Sequence, residues 1–307
     1  MQIYKELVDI VTEANVTKDK PLKEHTYTKL GGHADYFVTP TTADEVRQVV
    51  AFAKEKDIPF MLLGNGSNLI IKDGGIRGIV MYLGKMTKMT VEDTVLRAEA
   101  GALIVAASRL ALEHSLTGLE FACGIPGSVG GALFMNAGAY GGEIKDVLVS
   151  ATIVDETGNI REILAEDLDL MYRTSNISRN GYIVLEAKFQ LELGDYDAIK
   201  AVMDDLTYKR ESKQPLEYPS CGSVFKRPPG YFAGKLIQDS NLQGFTIGGA
   251  QVSLKHAGFI VNINQATASE YIALIEHVQQ VVYNNFGVKL EREVRIIGED
   301  KVITSKK

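Results

Sequence analysis

Apolar residues recur along this chain in two rhythms, one three to four residues long and one of strict alternation, and the changes between them mark its elements. Ile3, Leu7, Ile10 and Val11 share one helical face, which predicts a short amphipathic helix that packs on the body of the protein. After the extended Tyr36-Phe37-Val38, Thr42-Ala-Asp-Glu45 reads as a capping box. It opens a helix to about Lys56 that buries Val46, Val49, Val50 and Ala53. Ile58 to Leu63 reads as a strand that enters Gly64-Asn65-Gly66-Ser67-Asn68 and leaves through Leu69-Ile70-Ile71. Residues 79–83, 88–91 and 95–99 read as short strands, and Leu103 to His114 as a helix whose end Gly118 marks. Val147 to Val154 and Ile160 to Leu164, joined by a turn at Glu156-Thr-Gly-Asn159, predict a hairpin. A short acidic helix from Glu166 to Leu170 and a long alternating strand from Tyr182 to Leu193 follow.

Gly194 ends that strand and sets the expected domain boundary, giving residues 1–194 and 195–307. Ile199, Val202, Met203 and Leu206 give Asp195 to Arg210 a helical face, and Lys213-Gln-Pro215 stops it. A glycine turn with basic neighbours, Ser220-Cys221-Gly222-Ser223-Val224-Phe225-Lys226-Arg227-Pro228, comes next. Beyond it lie a helix from Ala233 to Ser240 and a strand from Gly258 to Asn262. Thr267-Ala-Ser-Glu270 is a second capping box, for a helix whose Ile272, Ile275, Val278, Val282 and Phe286 face a core before Gly287. Two strands, Val288 to Leu290 and Glu293 to Ile297, complete the reading.

The stretch from Gly124 to Gly142, GIPGSVGGALFMNAGAYGG, follows neither rhythm, with seven glycines in nineteen positions. Glycine costs roughly 0.5–1 kcal/mol relative to alanine inside a regular element, so such density needs a backbone reason, either positive φ or close approach to a ligand. Mobile surface loops are rich in Ser, Asp, Lys and Pro. This stretch instead carries Ile125, Val129, Leu133, Phe134 and Met135, as expected of a segment buried against something flat. Unhindered N–H groups in succession suit a pyrophosphate. The loop from Gly64 to Asn68 offers a similar set of donors, although a plain hairpin turn gives nearly the same sequence.

Composition narrows the partners. A chain of 307 residues with 45% hydrophobic content can bury one large core or two modest ones. A net charge of −6 and a pI near 5.5 argue against general affinity for nucleic acid or anionic membrane, so an anionic ligand has to be met by a local basic cluster. No stretch approaches ~18 uninterrupted apolar residues. The N-terminus lacks the basic start and cleavage site of a signal peptide, and a cytoplasmic protein is expected. Cys123 and Cys221 lie far apart, which agrees with a reducing compartment, and the histidines form no HExxH pattern, so no metal is expected. The familiar nucleotide motifs are absent as well. Gly84-Lys85 and Gly234-Lys235 are followed by Met and Leu rather than the Ser or Thr of a P-loop, and Leu69 stands where GxGxxG needs its third glycine. No GxSxG elbow surrounds Ser67, Ser128 or Ser223.

Six segments taken in order change the picture: LLGNGSNLII, GIPGSVGGALFMNAGAYG, YRTSNIS, CGSVFKRP, AGKLIQDSNLQGFTIGGAQVSLKHAGFIVN and LEREVRIIG. From about Tyr27 to Gly298 the chain resembles the UDP-N-acetylenolpyruvoylglucosamine reductase (MurB) family. It is most similar to the branch without an inserted tyrosine loop after the catalytic arginine. The resemblance implies an α+β fold, with an FAD-binding domain of the vanillyl-alcohol oxidase (PCMH) type in two lobes and a smaller C-terminal α+β substrate domain. It implies non-covalent FAD, NADPH as hydride donor, UDP-N-acetylglucosamine enolpyruvate as substrate and UDP-N-acetylmuramate as product; a monomer is expected.

Carried over residue by residue, the resemblance gives FAD to Gly64, Asn65, Gly66, Ser67, Asn68 and Leu69. It adds Gly124, Ile125, Pro126, Gly127, Ser128, Gly130 and Gly131, with Asn136, Ala137 and Gly138 near the flavin ring. Tyr172, Lys213, Lys226 and Arg227 would meet the substrate. Arg173, Ser223 and Glu293 match the catalytic positions, binding the carboxylate, protonating the enolate carbon and stabilising the intermediate. Read without it, Arg173 is a surface ion-pair partner of Asp167 or Asp169, Ser223 a turn serine, and Glu293 a partner of Arg292 or Arg295 with Glu291 its rival. Two other readings stay open: another flavin oxidoreductase on the same fold, and a catalytically inert nucleotide-binding module.

Overall fold

The computed structural model describes residues 2–155 and 157–301. They form two compact units, each assembled from separated stretches of chain. One contains Tyr36–Asn65 and Gly78–Arg210 together with the N-terminal residues through Lys18. The other contains Asp19–Asp35, Gly66–Arg77 and the residues from Glu211 onward. The single cut expected at Gly194 differs from this division, because long-range pairing recruits two early segments into the second unit. Leu69–Ile71 pairs in parallel with Arg295–Ile297. Asp73 caps a distant helix by accepting from the Ala268 and Ser269 amides at 2.8 and 2.9 Å. Neither link leaves a local signal in the sequence. Among the described residues, no helix is long and apolar enough to cross a membrane.

In the first unit, a five-stranded antiparallel sheet runs in the order Ile160–Leu164, Leu148–Val154, Ile183–Gln190, Val95–Glu99, Met89–Glu92. The predicted hairpin and the alternating strand are its centre, and Ala187 and Phe189 are wholly buried there. Glu156 of the predicted hairpin turn lies outside the described residues. Phe60–Leu63 pairs in parallel with strand Ile76–Tyr82, in register from Phe60 opposite Ile79 to Leu63 opposite Tyr82. Helix Ala43–Glu55 starts on Thr42, whose hydroxyl accepts from the Glu45 amide at 3.2 Å. The return bond goes from the Thr41 amide to Glu45 at 2.6 Å, one residue earlier than a capping box requires. Helix Ile104–Glu113 ends before Gly118 because Ser115 already turns the chain at φ 55. The acidic helix expected from Glu166 is a single 3-10 turn, Ala165–Leu168.

In the second unit, helix Ala268–Phe286 packs on a four-stranded antiparallel sheet ordered Ser220–Ser223, Phe259–Asn262, Ala250–Val252, Thr246–Ile247. Its capping box forms as read, and Gly287 ends it at φ 69. Tyr271, Leu274, Ile275, Val278 and Val282 are buried, whereas Phe286 is exposed, so the core face is rotated from the predicted one. Val288 to Leu290 is not a strand; only Arg295–Ile297 of the predicted final pair is.

Candidate functional site

The glycine-dense stretch holds more regular structure than its composition suggests. Ser128 caps a six-residue helix, Val129–Phe134, accepting from the Gly131 amide at 3.2 Å. Capping and the apolar Ala132 and Leu133, both buried, outweigh the cost of two glycines. Downstream, Gly138–Ala139 pairs with Gly142–Glu143 around Tyr140 at φ 53 and Gly141 at φ 94, the two left-handed positions that a tight hairpin needs.

Upstream, the two loops singled out by sequence lie side by side. Asn65 Nδ2 donates to the Pro126 carbonyl at 3.0 Å, and a Cβ on Gly64 would stand 3.3 Å from Ser128 Oγ. These loops have the groups that suit a diphosphate: short donors, no side chain at Gly64, and a serine hydroxyl that keeps its own hydrogen to donate. The amides of Val129 and Gly130 are engaged by the Ala102 and Ala100 carbonyls, and that of Gly131 by Ser128. The cradle therefore lies at Gly64–Asn65 and Pro126–Ser128, and glycine at 130 answers instead to Ala100, 3.1 Å from where its Cβ would be. Gly124 faces Arg210, whose Cδ stands 2.7 Å from that glycine's absent Cβ. The Ile125 amide donates to Ala122. Ala137 both donates to Ala132 and accepts from Ile144, which fixes the start of the hairpin.

The rest of the first loop belongs to the second unit. Gly66 sits at φ 65, and a Cβ there would lie 2.0 Å from the His25 carbonyl oxygen. Ser67 is half-buried. Asn68 donates to the Glu293 carbonyl at 3.3 Å and accepts from the Arg295 amide at 3.2 Å, and Leu69 is in register with Arg295. Gly66→Ala is expected to lower stability by at least about 2 kcal/mol, from left-handed strain and the carbonyl collision together. Thermal unfolding checks this, and a midpoint unchanged from the parent would overturn it.

Arg173 occupies a closed turn in which the Met171 and Thr174 amides and carbonyls pair at 3.0 and 3.2 Å. Its own φ is 58. The ion pair with Asp169 that the sequence allows goes to Arg179 instead. Arg173 Nη2 donates to the Gly138 carbonyl at 3.2 Å, and its guanidinium lies 5.4 Å from the ring centroid of Tyr172, a half-exposed residue. Ser175, wholly buried, donates to the Phe134 carbonyl at 2.8 Å and caps helix Asn176–Asn180, tying the turn to helix Val129–Phe134. Sequence reasoning missed Glu143. Its one signal is Gly138, bare because Glu143 Cγ lies 2.7 Å from where a Cβ would be. Asn136 is 1% exposed; its Nδ2 donates to Glu143 at 2.9 Å and to the Met171 carbonyl at 3.3 Å, while Oδ1 accepts from the Lys145 amide at 3.0 Å. A hydrogen bond from Lys145, helped by Asn136 and the Arg173 charge, holds the Glu143 carboxyl below the usual range.

Ser223 and Glu293 come together in the second unit. The Glu293 amide donates to the Val224 carbonyl at 2.8 Å, and Phe225 bridges Arg292. Strict alternation would put Ser223 on the buried face with Cys221. Gly222, at φ 76, breaks the register, so Cys221 is 3% exposed while Ser223 is exposed. Burial pushes the Cys221 thiol up to about 11, which leaves it inert beside the Tyr271 hydroxyl. Glu291, the rival carboxylate, pairs with Lys226, and the Arg227 guanidinium lies 3.9 Å from the centroid of the Phe232 ring. Lys213 ends helix Tyr196–Lys213, exposed.

Against known proteins, a model of the C-terminal domain of UDP-N-acetylenolpyruvoylglucosamine reductase matches residues 214–297, and one of an FAD-binding domain matches residues 34–164. The chain is 65% identical over 300 residues to the UDP-N-acetylenolpyruvoylglucosamine reductase of Oceanobacillus iheyensis, covering 98% of each. Over 299 residues it is 59% identical to the protein of that name from Exiguobacterium sibiricum, covering 97% of this chain and 98% of the other. The crystal structure of UDP-N-acetylenolpyruvylglucosamine reductase (MurB) from Thermus caldophilus aligns with a TM-score of 0.79 at 32% identity, covering 92% of this chain and 97% of that one.

Proposed function

Because the chain belongs to the UDP-N-acetylenolpyruvoylglucosamine reductase family, we propose that it reduces the enolpyruvyl ether of UDP-N-acetylglucosamine to UDP-N-acetylmuramate, with NADPH as the electron source. It is an oxidoreductase with an FAD-binding domain of the PCMH type and the family's C-terminal domain. The observation that carries the proposal is 65% identity sustained over 98% of both chains.

Bound FAD would supply the hydride that reaches the methylene carbon of the substrate. The cradle of Gly64, Asn65, Pro126 and Ser128 would hold its diphosphate. As the hydride arrives, negative charge builds on the α-carbon and carboxylate, where fixed positive charge lowers the barrier most. Arg173 supplies it: a guanidinium stays charged and has the planar fork of N–H donors that matches a carboxylate, and its Nη2 is anchored on the Gly138 carbonyl. Ser223, swung out of the core by Gly222, would give its proton to the α-carbon, and Glu293 would stabilise the developing charge. Glu291 is held by Lys226, which favours Glu293 for that part.

Lys226, Arg227, Lys213 and Tyr172 would meet the sugar nucleotide. Lys226 would have to leave Glu291 to reach a diphosphate, and an exposed pair of this kind is worth about 0–1 kcal/mol, so the exchange is cheap. The reading is tested by mixing the yellow, FAD-loaded protein with NADPH under air. NADPH consumption is expected only when the enolpyruvyl sugar nucleotide is added. Consumption driven by oxygen alone would make the protein an oxidase, and a colourless protein that cannot be reconstituted with FAD would remove both enzyme readings.

A further inference from the structure

Asn136, Glu143 and Lys145 form a polar cluster beside the Arg173 turn. We propose that Asn136 and Glu143 are positioning residues that fix the guanidinium of Arg173 in the orientation the reaction needs. This rests on the reading of Arg173 given above.

The backbone at Arg173 is the first argument. An arginine in the left-handed region costs roughly 1–2 kcal/mol, so the surrounding contacts must hold it there. Asn136 does so from one side. The Met171 carbonyl accepts both from Thr174, which closes the turn, and from Asn136 Nδ2, which engages its second lone pair. Asn136 is itself left-handed at φ 41, so its hydrogen bond to the Met171 carbonyl ties one left-handed residue to the turn that holds the other.

The side chain is the second argument. Arg173 Nη2 donates to the Gly138 carbonyl, and Gly138 stands opposite Glu143 in the hairpin. Glu143 crosses the face of Gly138 where any side chain would block it. Its carboxylate receives Asn136 Nδ2 at 2.9 Å and Lys145 Nζ at 2.9 Å. One amide thus links the carboxylate beside the arginine's anchor to the carbonyl that closes the arginine's turn. Lys145 balances the carboxylate from outside, and its amide binds Asn136 Oδ1, which fixes the orientation of the amide.

The test is a double-mutant cycle on the FAD-loaded enzyme, following the two half-reactions separately by stopped flow. Glu143→Gln preserves shape and removes the charge. It is expected to slow oxidation of the reduced flavin by substrate about 10- to 100-fold, the range for groups that support a functional residue from behind. Flavin reduction by NADPH, substrate affinity by calorimetry and the unfolding midpoint should change little. In an Arg173→Gly background the same substitution should add less than about twofold, because what it positions is gone. Full multiplication of the two effects would overturn the proposal while leaving the role of Arg173 intact. An Arg173→Gly enzyme that oxidises normally would instead overturn that role. Asn136→Ala serves as the second variant: in the parent it should slow the same step, and in Arg173→Gly it too should add little. A loss equal in both half-reactions would mark Asn136 as structural and overturn its part in the proposal.

Discussion

Ser223→Ala is expected to cut turnover of the enolpyruvyl sugar nucleotide by roughly 10²-fold or more while NADPH bleaches the flavin at the parent rate, as for loss of a general acid. The expectation follows from the bulge at Gly222, which takes Ser223 off the core face and leaves Cys221 there. Removing one exposed hydroxyl opens no cavity, so stability should stay within about 0.5 kcal/mol of the parent. Stopped-flow spectroscopy separates the two steps. Equal slowing of both would remove the acid role from Ser223 and leave it a turn residue.

Arg173→Gly should produce a comparable or larger loss, about 10²- to 10³-fold in the oxidative step, the scale on which a preorganised donor to developing negative charge acts. This variant is informative because glycine is the residue the backbone there prefers. The turn sits at φ 58, so glycine relieves strain that alanine would retain. Against this stands the lost bond to Gly138, worth about 1 kcal/mol. The two nearly cancel, so the unfolding midpoint should move by only a few degrees while turnover collapses. A large drop in midpoint would show that the arginine is mainly a structural clamp.

The readable parts of the sequence are those whose cause is local. Helix Ala268–Phe286 carries its capping box and its terminal glycine within twenty-odd residues, and both are realised; its apolar face is read only in part, because Tyr271 and Leu274 are buried where Ile272 and Phe286 were expected. The glycine-dense stretch stood out because its composition fits no regular element, whereas the Gly64–Asn68 loop reads almost as well as a plain hairpin turn. What escaped has distant causes. Strand Leu69–Ile71 finds its partner at Arg295–Ile297, so periodicity near residue 70 could not show which unit it joins. Gly130 also has a packing reason that the sequence does not show, since Ala100 lies 3.1 Å from where its Cβ would be. Helix Asn176–Asn180 was hidden because its cap, Ser175, is fixed by the Phe134 carbonyl forty-one residues away. Glu143 escaped because a lone acidic residue after two glycines reads as solvent-facing, and only the fold lays it across Gly138.

The parallel pairing of Leu69–Ile71 with Arg295–Ile297 also sets an order of events during synthesis. The early strand leaves the ribosome more than two hundred residues before its partner, with Ile70 and Ile71 both destined for full burial. Until Arg295–Ile297 emerges, that strand has an unsatisfied edge, and until Ala268–Phe286 emerges the Asp73 cap has no helix to hold. A ribosome that pauses late in the message would therefore present a finished first unit attached to a sticky, incomplete second one. Such nascent chains are the ones that chaperones need to shield.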